Sequence, residues 1–548
     1  MLKRFFHYQT KTIAGAAGIL ALSAFVSRML GVARDWLLAE MFGTGADADI
    51  YFAAFRVPDM VYGILIVGGI VVAFLPIFTE YFAKNKEEAW RFANNTLNIF
   101  FFLLIIFSLA LFIFTPLLVK LITPGFSGEQ LAKTIFLTRL MFFSPIFLGL
   151  SAIFTGILHC FNRFFIYSLA PVFYNLGIIF GLLFLAPRFG VTGVAIGVIL
   201  GAFLHLAVQI PSAVSCGFKY QKIFNIRDPG VRRIFLLMIP RTLGVVGLQI
   251  NLFAITAIAS TLSQGSISVF NFSNNLQGMI SGIIGVSFSM AVFPSLSRDW
   301  VIGAKDEFIR RFSYVFRQIA YIIIPLSILM FILRDQVVKI ILEHGVFGQF
   351  SAQLTAASLG VFCAGIFAFS LNPLLARTFF SLQDTKTPTF IVFFVMLLNI
   401  FLSVYLTSVL KADNFFQDFF QNAFSLPPSL DIRVLALPLS YSFSVFIQFF
   451  LLLVFLHRKM RAIDLKEIFL SVLKIILSGT LMAAVVLAVL HLAPFYRQFD
   501  NFWILVFQTV IVALLGGGIY ILATFLFKSP EAITIFKRIN GKFNGKHS

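Results

Sequence analysis

With 548 residues, 59% of them hydrophobic or aromatic, 12% charged and a mean hydropathy of +0.95, the chain is no ordinary soluble protein, whose domains run about 45–50% apolar and about 25% charged. The formal charge of +19 comes from 42 Lys and Arg against 23 Asp and Glu, but the cations lie in short loops between apolar runs, without an RRM, KH or zinc-finger pattern, which excludes nucleic acid as a partner. Cys160, Cys216 and Cys363 are an odd number without CxxC spacing, so neither a disulfide framework nor a metal site is expected.

A membrane span with its loop takes about 35–40 residues, and apolar runs fall near 12–36, 57–82, 95–121, 134–160, 166–186, 191–212, 233–261, 268–296, 312–333, 352–381, 387–410, 433–456, 465–492 and 502–527. The expectation is an all-α polytopic membrane protein with about fourteen transmembrane helices. The first run follows Lys3, Arg4 and Lys11 as a signal peptide would, but it continues through Arg28 and Arg34 instead of ending at a small-residue cleavage site. It reads as a retained first helix.

Of the 42 cations, 26 fall in the even-numbered loops and the two termini, among them Lys84, Lys86, Arg91, Lys219, Lys222, Arg227, Arg310, Arg311, Arg458 and Lys528. The opposite loops hold eight, together with most of the acid. By the positive-inside rule both termini are cytoplasmic.

An internal repeat accompanies this topology. Ala73-Phe74-Leu75-Pro76, followed by a charged loop to Trp90-Arg91-Phe92, matches Ala291-Val292-Phe293-Pro294 and a loop to Arg310-Arg311-Phe312, at an offset of 218 to 220. Leu158 and Asn175 match Leu382 and Asn399 at 224. The partners are six spans apart, an even number that preserves orientation, so the repeats are parallel, related by a pseudo-two-fold axis along the membrane normal, with a site expected between lobes. Spans 13 and 14 fall outside the repeat.

Eight cations remain within or at the margins of spans: Arg28, Arg34, Arg56, Arg139, Arg241, Arg317, Arg377 and Lys474. A charge at mid-bilayer costs at least about 2.5–3.5 kcal/mol and needs a water-filled cavity or a partner. Arg317 and Lys474, near span ends, read as snorkelling to headgroups. Arg28 shares a helical face with Asp35, seven residues on; an internal salt bridge and a cationic cavity are both open readings. Arg34 falls about 120° from Arg28 on an unbroken helix, and a distortion at Gly31 would bring both toward one cavity. Arg241 follows Pro240 and precedes Gly244 and Gly247, where the helix should be irregular and suited to a ligand. Intramembrane acids are nearly absent, so the interior should favour anions. No acidic cluster, His/Arg phosphoenzyme pair or Walker A motif is present. The reading is therefore a transporter without a cofactor and without enzymatic activity. His205, within span 6, reads as a helix-packing hydrogen bonder.

Between spans 11 and 12, Phe415, Phe416, Phe419, Phe420 and Phe424 recur with a helical period among Asn414, Gln417, Asp418, Gln421 and Asn422, and Pro427-Pro428 ends the pattern. An amphipathic helix on the outer leaflet is expected there.

Ser27-Arg28-Met29-Leu30-Gly31-Val32-Ala33-Arg34-Asp35, Phe42-Gly43, Asp49, Ala54-Phe55-Arg56-Val57-Pro58 and Phe74-Leu75-Pro76 resemble the MurJ (MviN) family of lipid II flippases. Ala170-Pro171 with Asn175, Gly193 through Gly201 with Gln209 and Pro211, Gln249-Ile250, Pro294-Ser295-Leu296-Ser297 and Asp384-Thr385-Lys386-Thr387-Pro388 extend the likeness over spans 1 to 11. The resemblance implies the fold of the multidrug/oligosaccharidyl-lipid/polysaccharide exporter superfamily: two six-helix lobes, 1–216 and 217–456, and two extra helices with a basic tail over 457–548. It further implies location in the cytoplasmic membrane, alternating access, and lipid II, an undecaprenyl-diphosphate disaccharide-peptide, as substrate, with membrane lipids and peptidoglycan synthesis proteins as further partners. Arginine matches phosphate oxygens bidentately, and the family's span 1 arginines carry over to Arg28 and Arg34, its following acid to Asp49. Departures are Tyr62 where an arginine is usual, Val67 in place of an acid, Asn274-Asn275 in place of an Asp-Arg pair, and Gly278 where a glutamate is common. Charge is removed in pairs, so Arg241, Arg377 and Arg56 are expected to supply the positive potential beside Asn274 and Asn275. The alternatives are a flippase for another polyprenyl-diphosphate saccharide and a non-transporting scaffold of cell-wall synthesis.

Overall fold

The computed structural model describes residues 13–411, 414–460, 464–492 and 501–533, with side chains placed except at 13–17, 67, 68, 71, 72, 240, 241, 243 and 465. Among the described residues the secondary structure is helical, with no strand. Eleven helices are long and apolar enough to cross a membrane, or twelve when Pro229–Ile239 and Gly244–Ser260, bent by 53° to each other, count as one span. The bend falls between Ile239 and Gly244, a stretch that begins with Pro240, and proline lacks the N–H that a helix interior needs. Helix Ile13–Phe42 and the helical run 46–84, expected as spans 1 and 2, both contain residues without a described side chain.

The repeat extends to element boundaries. Helices Ala46–Val61 and Ser266–Ser281 are each 16 residues long and begin 220 residues apart. Each leads into π-helical turns, Tyr62–Ile70 and Gly282–Val286, and then into helices Val71–Lys84 and Ser287–Val301 that carry Pro76 and Pro294.

By packing, the chain divides into two compact units: residues up to Ser268 with His344–Phe347, and Val269–Glu343 with the chain from Gly348 onward. Helix Pro229–Ser260 thus packs with the first unit, although in chain order it opens the expected second lobe. Its Val231, Ile234 and Met238 belong to the apolar core built on Phe74, Phe78, Phe92 and Phe100, where Phe74 stacks on both Phe78 and Phe92.

In the second unit the last two membrane helices, Leu465–Leu492 and Phe502–Leu526, share a core with Lys305–Ile332 through Ile475, Met482, Val486, Val512 and Tyr520 against Ala320, Tyr321 and Ile324. Arg317, expected to snorkel, instead pairs with Glu467 and lies 3.3 Å from the buried carboxylate of Glu531, so it ties those helices together. Lys474 donates to the Lys528 carbonyl at 3.3 Å.

The aromatic segment forms helix Phe415–Ala423, with Asn414 capping the Gln417 N–H at 3.0 Å. Phe415, Phe416 and Phe419 are exposed while Gln421 is buried, and the Arg334 guanidinium covers the Phe424 ring at 5.1 Å.

The Asp384-Thr385-Lys386-Thr387-Pro388 motif is a helix start. Asp384 accepts the Thr387 N–H at 3.0 Å and hydroxyl at 2.8 Å, and Lys459 Nζ donates to it at 2.9 Å. Partial burial alone would raise this carboxyl, but the Thr387 N–H, then Lys459 and the Thr387 hydroxyl, hold it below the usual carboxylate range. A depressed carboxylate contributes its stability in full above about pH 4 and loses it on acidification through its folded pKa. An asparagine still accepts the Thr387 N–H but loses the pair with Lys459, so D384N is expected to cost up to about 1 kcal/mol at pH 7, and its difference in thermal unfolding from the parent in detergent should shrink at pH 3. An equal difference at both pH values would refute the carboxylate's role.

Candidate functional site

Helix Ile13–Phe42 runs unbroken through Gly31, so the distortion expected there is not found. Its Ser23 and Ser27, one turn apart, face helix Phe164–Phe180: Ser168 donates to Ser23 Oγ at 2.9 Å, and Asn175 Nδ2 donates to the Ser27 carbonyl and hydroxyl, both at 3.2 Å. Seven residues beyond Ser27, Arg34 returns to that face. Arg34 Nε and Nη2 both donate to Asp35 Oδ1, at 3.0 and 2.8 Å. The buried carboxylate is thus held by its chain neighbour through the long guanidinium arm, and Arg34 keeps 25% of its side-chain surface exposed. Arg28 is half-buried on the same helix.

Three further elements reach this region within the first unit. Tyr174, from helix Phe164–Phe180, lies within electrostatic reach of Tyr51, Arg34, Asp59 and Tyr62. From helix Ala46–Val61, Arg56 Nε donates to Thr256 Oγ1 at 2.9 Å, and Asp59, one turn on, feels the Arg56 charge and is hydrogen-bonded by Gln249. Gly63 lets the Gln249 amide in, because a Cβ there would collide with Gln249 Nε2. Gln249 Oε1 is buried and has no hydrogen-bond partner among the described residues. The cluster therefore sets Arg34 and Arg56 against Asp35 and Asp59 among tyrosine hydroxyls and amides, and Arg28 stands six residues before Arg34 on the same helix. Such an array suits a phosphate or carboxylate ligand.

Asp59, Tyr51, Tyr174, Gln249 and Thr256 are not among the residues expected from sequence. Asp59 carried a usable signal, since it stands three residues after Arg56 and shares its face. It corrects the expectation that acid is nearly absent from the membrane interior. The uncharged residues carried no signal of that kind.

Asp49 is 3% exposed, and both of its oxygens are engaged. Oδ2 accepts the Gly265 N–H at 2.7 Å, and Oδ1 accepts the Ser268 N–H at 2.8 Å and hydroxyl at 2.5 Å. Its position is that of a cap on the N-terminus of helix Ser266–Ser281, where orphan N–H groups favour an anion. The side chain of Arg241 lies outside the described residues.

In the second unit Arg377, near the end of helix Gln349–Ser381, donates to the Val286 carbonyl at 3.2 Å, where the π-helical turns end. Asn274 Oδ1 accepts from Gln277 Nε2 at 3.1 Å, and Asn275 beside it is half-buried. His205 does act as a packing hydrogen bonder: its Nδ1 is 2.7 Å from Ser151 Oγ, which also accepts from Gln209 at 2.6 Å.

The family profile for Lipid II flippase MurJ matches residues 38–507. The "Probable lipid II flippase MurJ" of Buchnera aphidicola subsp. Schizaphis graminum is 27% identical over 93% of this chain and 95% of its own, and that of Vibrio cholerae is 29% identical over 72% and 77%. The Borreliella burgdorferi protein of the same name is 30% identical over 70% of this chain and 76% of its own. Among solved structures, the chain superposes on a lipid II flippase MurJ in an inward closed conformation with a TM-score of 0.74 and 24% identity, covering 93% of this chain and 98% of that one. An inward-facing multidrug transporter of the MATE family and MOP superfamily matches with a TM-score of 0.64 at 14% identity, over 80% and 96%. These two likenesses show the fold. Taken with the profile match across most of its length, they lead to one conclusion: the chain belongs to the MurJ family of lipid II flippases.

Proposed function

We propose that the chain carries lipid II from the inner to the outer leaflet of the cytoplasmic membrane by alternating access, with Arg28, Arg34 and Arg56 receiving the diphosphate. The observation that supports this reading most is the gathering of Arg34 and Arg56 with two tyrosines and the Gln249 amide inside one apolar unit, an array of donors that matches phosphate oxygens. Asp59, Gln249, Tyr51 and Tyr174 position the arginines and offer hydrogen bonds to the headgroup. Arg241, Arg377, Asn274 and Asn275 are further candidate contacts for the headgroup, and Asp49 would hold the start of helix Ser266–Ser281 in place. The proposed topology has fourteen spans, both termini cytoplasmic, lobes at 1–216 and 217–456, and the last two helices as an appendage over 457–548. Depletion of the protein should make lipid II accumulate on the cytoplasmic leaflet, and re-expression should clear it. Accumulation of a different polyprenyl-diphosphate saccharide would shift the substrate while keeping the cation site, and no accumulation at all would leave a scaffold.

Energetics give a second expected result. Outward movement of an anionic headgroup is favoured by an inside-negative potential at about 2.3 kcal/mol per charge per 100 mV. With the arginines remaining on the protein, net charge moves with the lipid, so dissipating the potential in proteoliposomes should stall flipping. An unchanged rate in depolarised vesicles would refute this coupling.

A further inference from the structure

The loop between helices Ile210–Ser215 and Pro229–Ser260 has no regular secondary structure over 218–225, yet its backbone is fastened by three asparagines of helix Lys86–Ile122. Asn94 Nδ2 donates to the Lys219 carbonyl at 3.0 Å while its Oδ1 accepts the Gln221 N–H at 2.8 Å, the pairing a neighbouring strand would offer. Asn95 exchanges the same two bonds with Asn225 at 2.9 and 2.7 Å. Asn98 donates to the carbonyls of Gln221 and Ile223 at 3.0 and 2.9 Å. All three asparagines are buried. Buried side-chain amides mid-helix are costly unless satisfied, and here they immobilise a strap that contributes little core of its own.

What the strap presents is amphipathic. Tyr220 is 60% exposed, Phe224 53% and Ile226 64%, with Lys219, Lys222 and Arg227 exposed among them. The Phe224 ring packs edge-on against Phe102 at 5.3 Å, and Phe102 is itself half exposed on a helix whose Ile106, Leu109 and Ile113 also face outward. That exposed apolar stripe belongs to a membrane span, so the strap crosses the flank of the span at the edge of the apolar belt. Aromatic groups beside cations at that depth match the headgroup layer.

We propose that the 218–227 strap is a preorganised binding site for anionic phospholipid headgroups, with Lys219, Lys222 and Arg227 meeting the phosphates and Tyr220, Phe224 and Ile226 entering the acyl boundary. Assignment to the cytoplasmic leaflet rests on the topology proposed above. The full-length protein, delipidated in detergent, is titrated with phosphatidylglycerol, phosphatidylcholine or inorganic phosphate, and binding is read by native mass spectrometry. A cation near an anionic surface strengthens binding about fivefold, so K219Q/K222Q/R227Q should weaken phosphatidylglycerol binding at least tenfold. R298Q/K305Q/R310Q, on another basic loop, should change it less than twofold. Equal binding by parent and strap variant, or phosphatidylcholine or phosphate binding as tightly as phosphatidylglycerol, would overturn the site. The leaflet is read separately with K222C in a background where Cys160, Cys216 and Cys363 are serine. Labelling by an impermeant thiol reagent only after cells are opened supports the inner leaflet, and labelling of intact cells overturns that assignment while the affinity in detergent stands.

Discussion

R34A/D35N is expected to yield a folded protein that flips lipid II at least tenfold more slowly than the parent. R34A alone removes one partner from a buried carboxylate, a change that costs up to about 3–5 kcal/mol where the pair is buried. That variant should lose folded yield as well as transport, which confounds its reading. Adding D35N removes the buried negative charge that Arg34 had balanced, so stability should return while the cation stays absent. A hydrogen bond to a charged group is worth about 1.5–3 kcal/mol, or roughly ten- to a hundredfold in rate if it is made in the transition state. R34K should fall between, because one ammonium cannot reproduce the Nε and Nη2 contacts to Asp35 Oδ1. Folded yield by size exclusion and flipping in proteoliposomes separate the two effects. Parental flipping by the double variant would take Arg34 out of the substrate's path.

The same residues show what a sequence exposes and what it conceals. Arg28, Arg34 and Arg56 stand out because charge is rare in apolar runs, and the bend between Ile239 and Gly244 was legible from Pro240 and the glycines that follow. Which acid pairs with Arg34 was not legible: helical geometry puts Asp35 on the face of Arg28, but a guanidinium on a flexible stem reaches its own chain neighbour. Asp59 was hidden by its place at the start of an apolar run, where an acid looks like loop. Gln249 and Thr256 were hidden because uncharged residues on a distant helix enter the site only through the close approach at Gly63. The repeat at an offset of 218 to 220 survives as two 16-residue helices 220 apart, whereas the π-helical turns that follow them leave no trace in hydropathy. Apolar runs also mark the part of a helix in lipid and not its ends, which is why the run expected at 57–82 belongs to helix extending over 46–84.

G181V is expected to abolish folded protein. Helix Phe164–Phe180 with its π-helical continuation Gly181–Leu185, and helix Val191–Ala207, which starts after Gly190 at a φ of +56°, meet backbone to backbone along Gly177, Gly181, Gly193, Gly197 and Gly201. A Cβ at Gly181 would sit 2.5 Å from the Gly197 Cα, and one at Gly197 would sit 2.7 Å from the Gly181 Cα. Between membrane helices there is little hydrophobic drive, so such close approach supplies the packing that holds them. Overpacking costs about 1–3 kcal/mol where side chains can move aside; here the obstacle is main chain, and the helices must part. The hairpin carries Tyr174 into the polar cluster and Asn175 onto Ser27, so separating the helices dismantles the Arg34 face as well. Size exclusion in mild detergent should show aggregate or no protein, and the variant should not relieve depletion. G278A, at a glycine with nothing within 4 Å of an added Cβ, should remain monodisperse. A monodisperse G181V at parental yield would mean that the glycine seam does not hold the hairpin together.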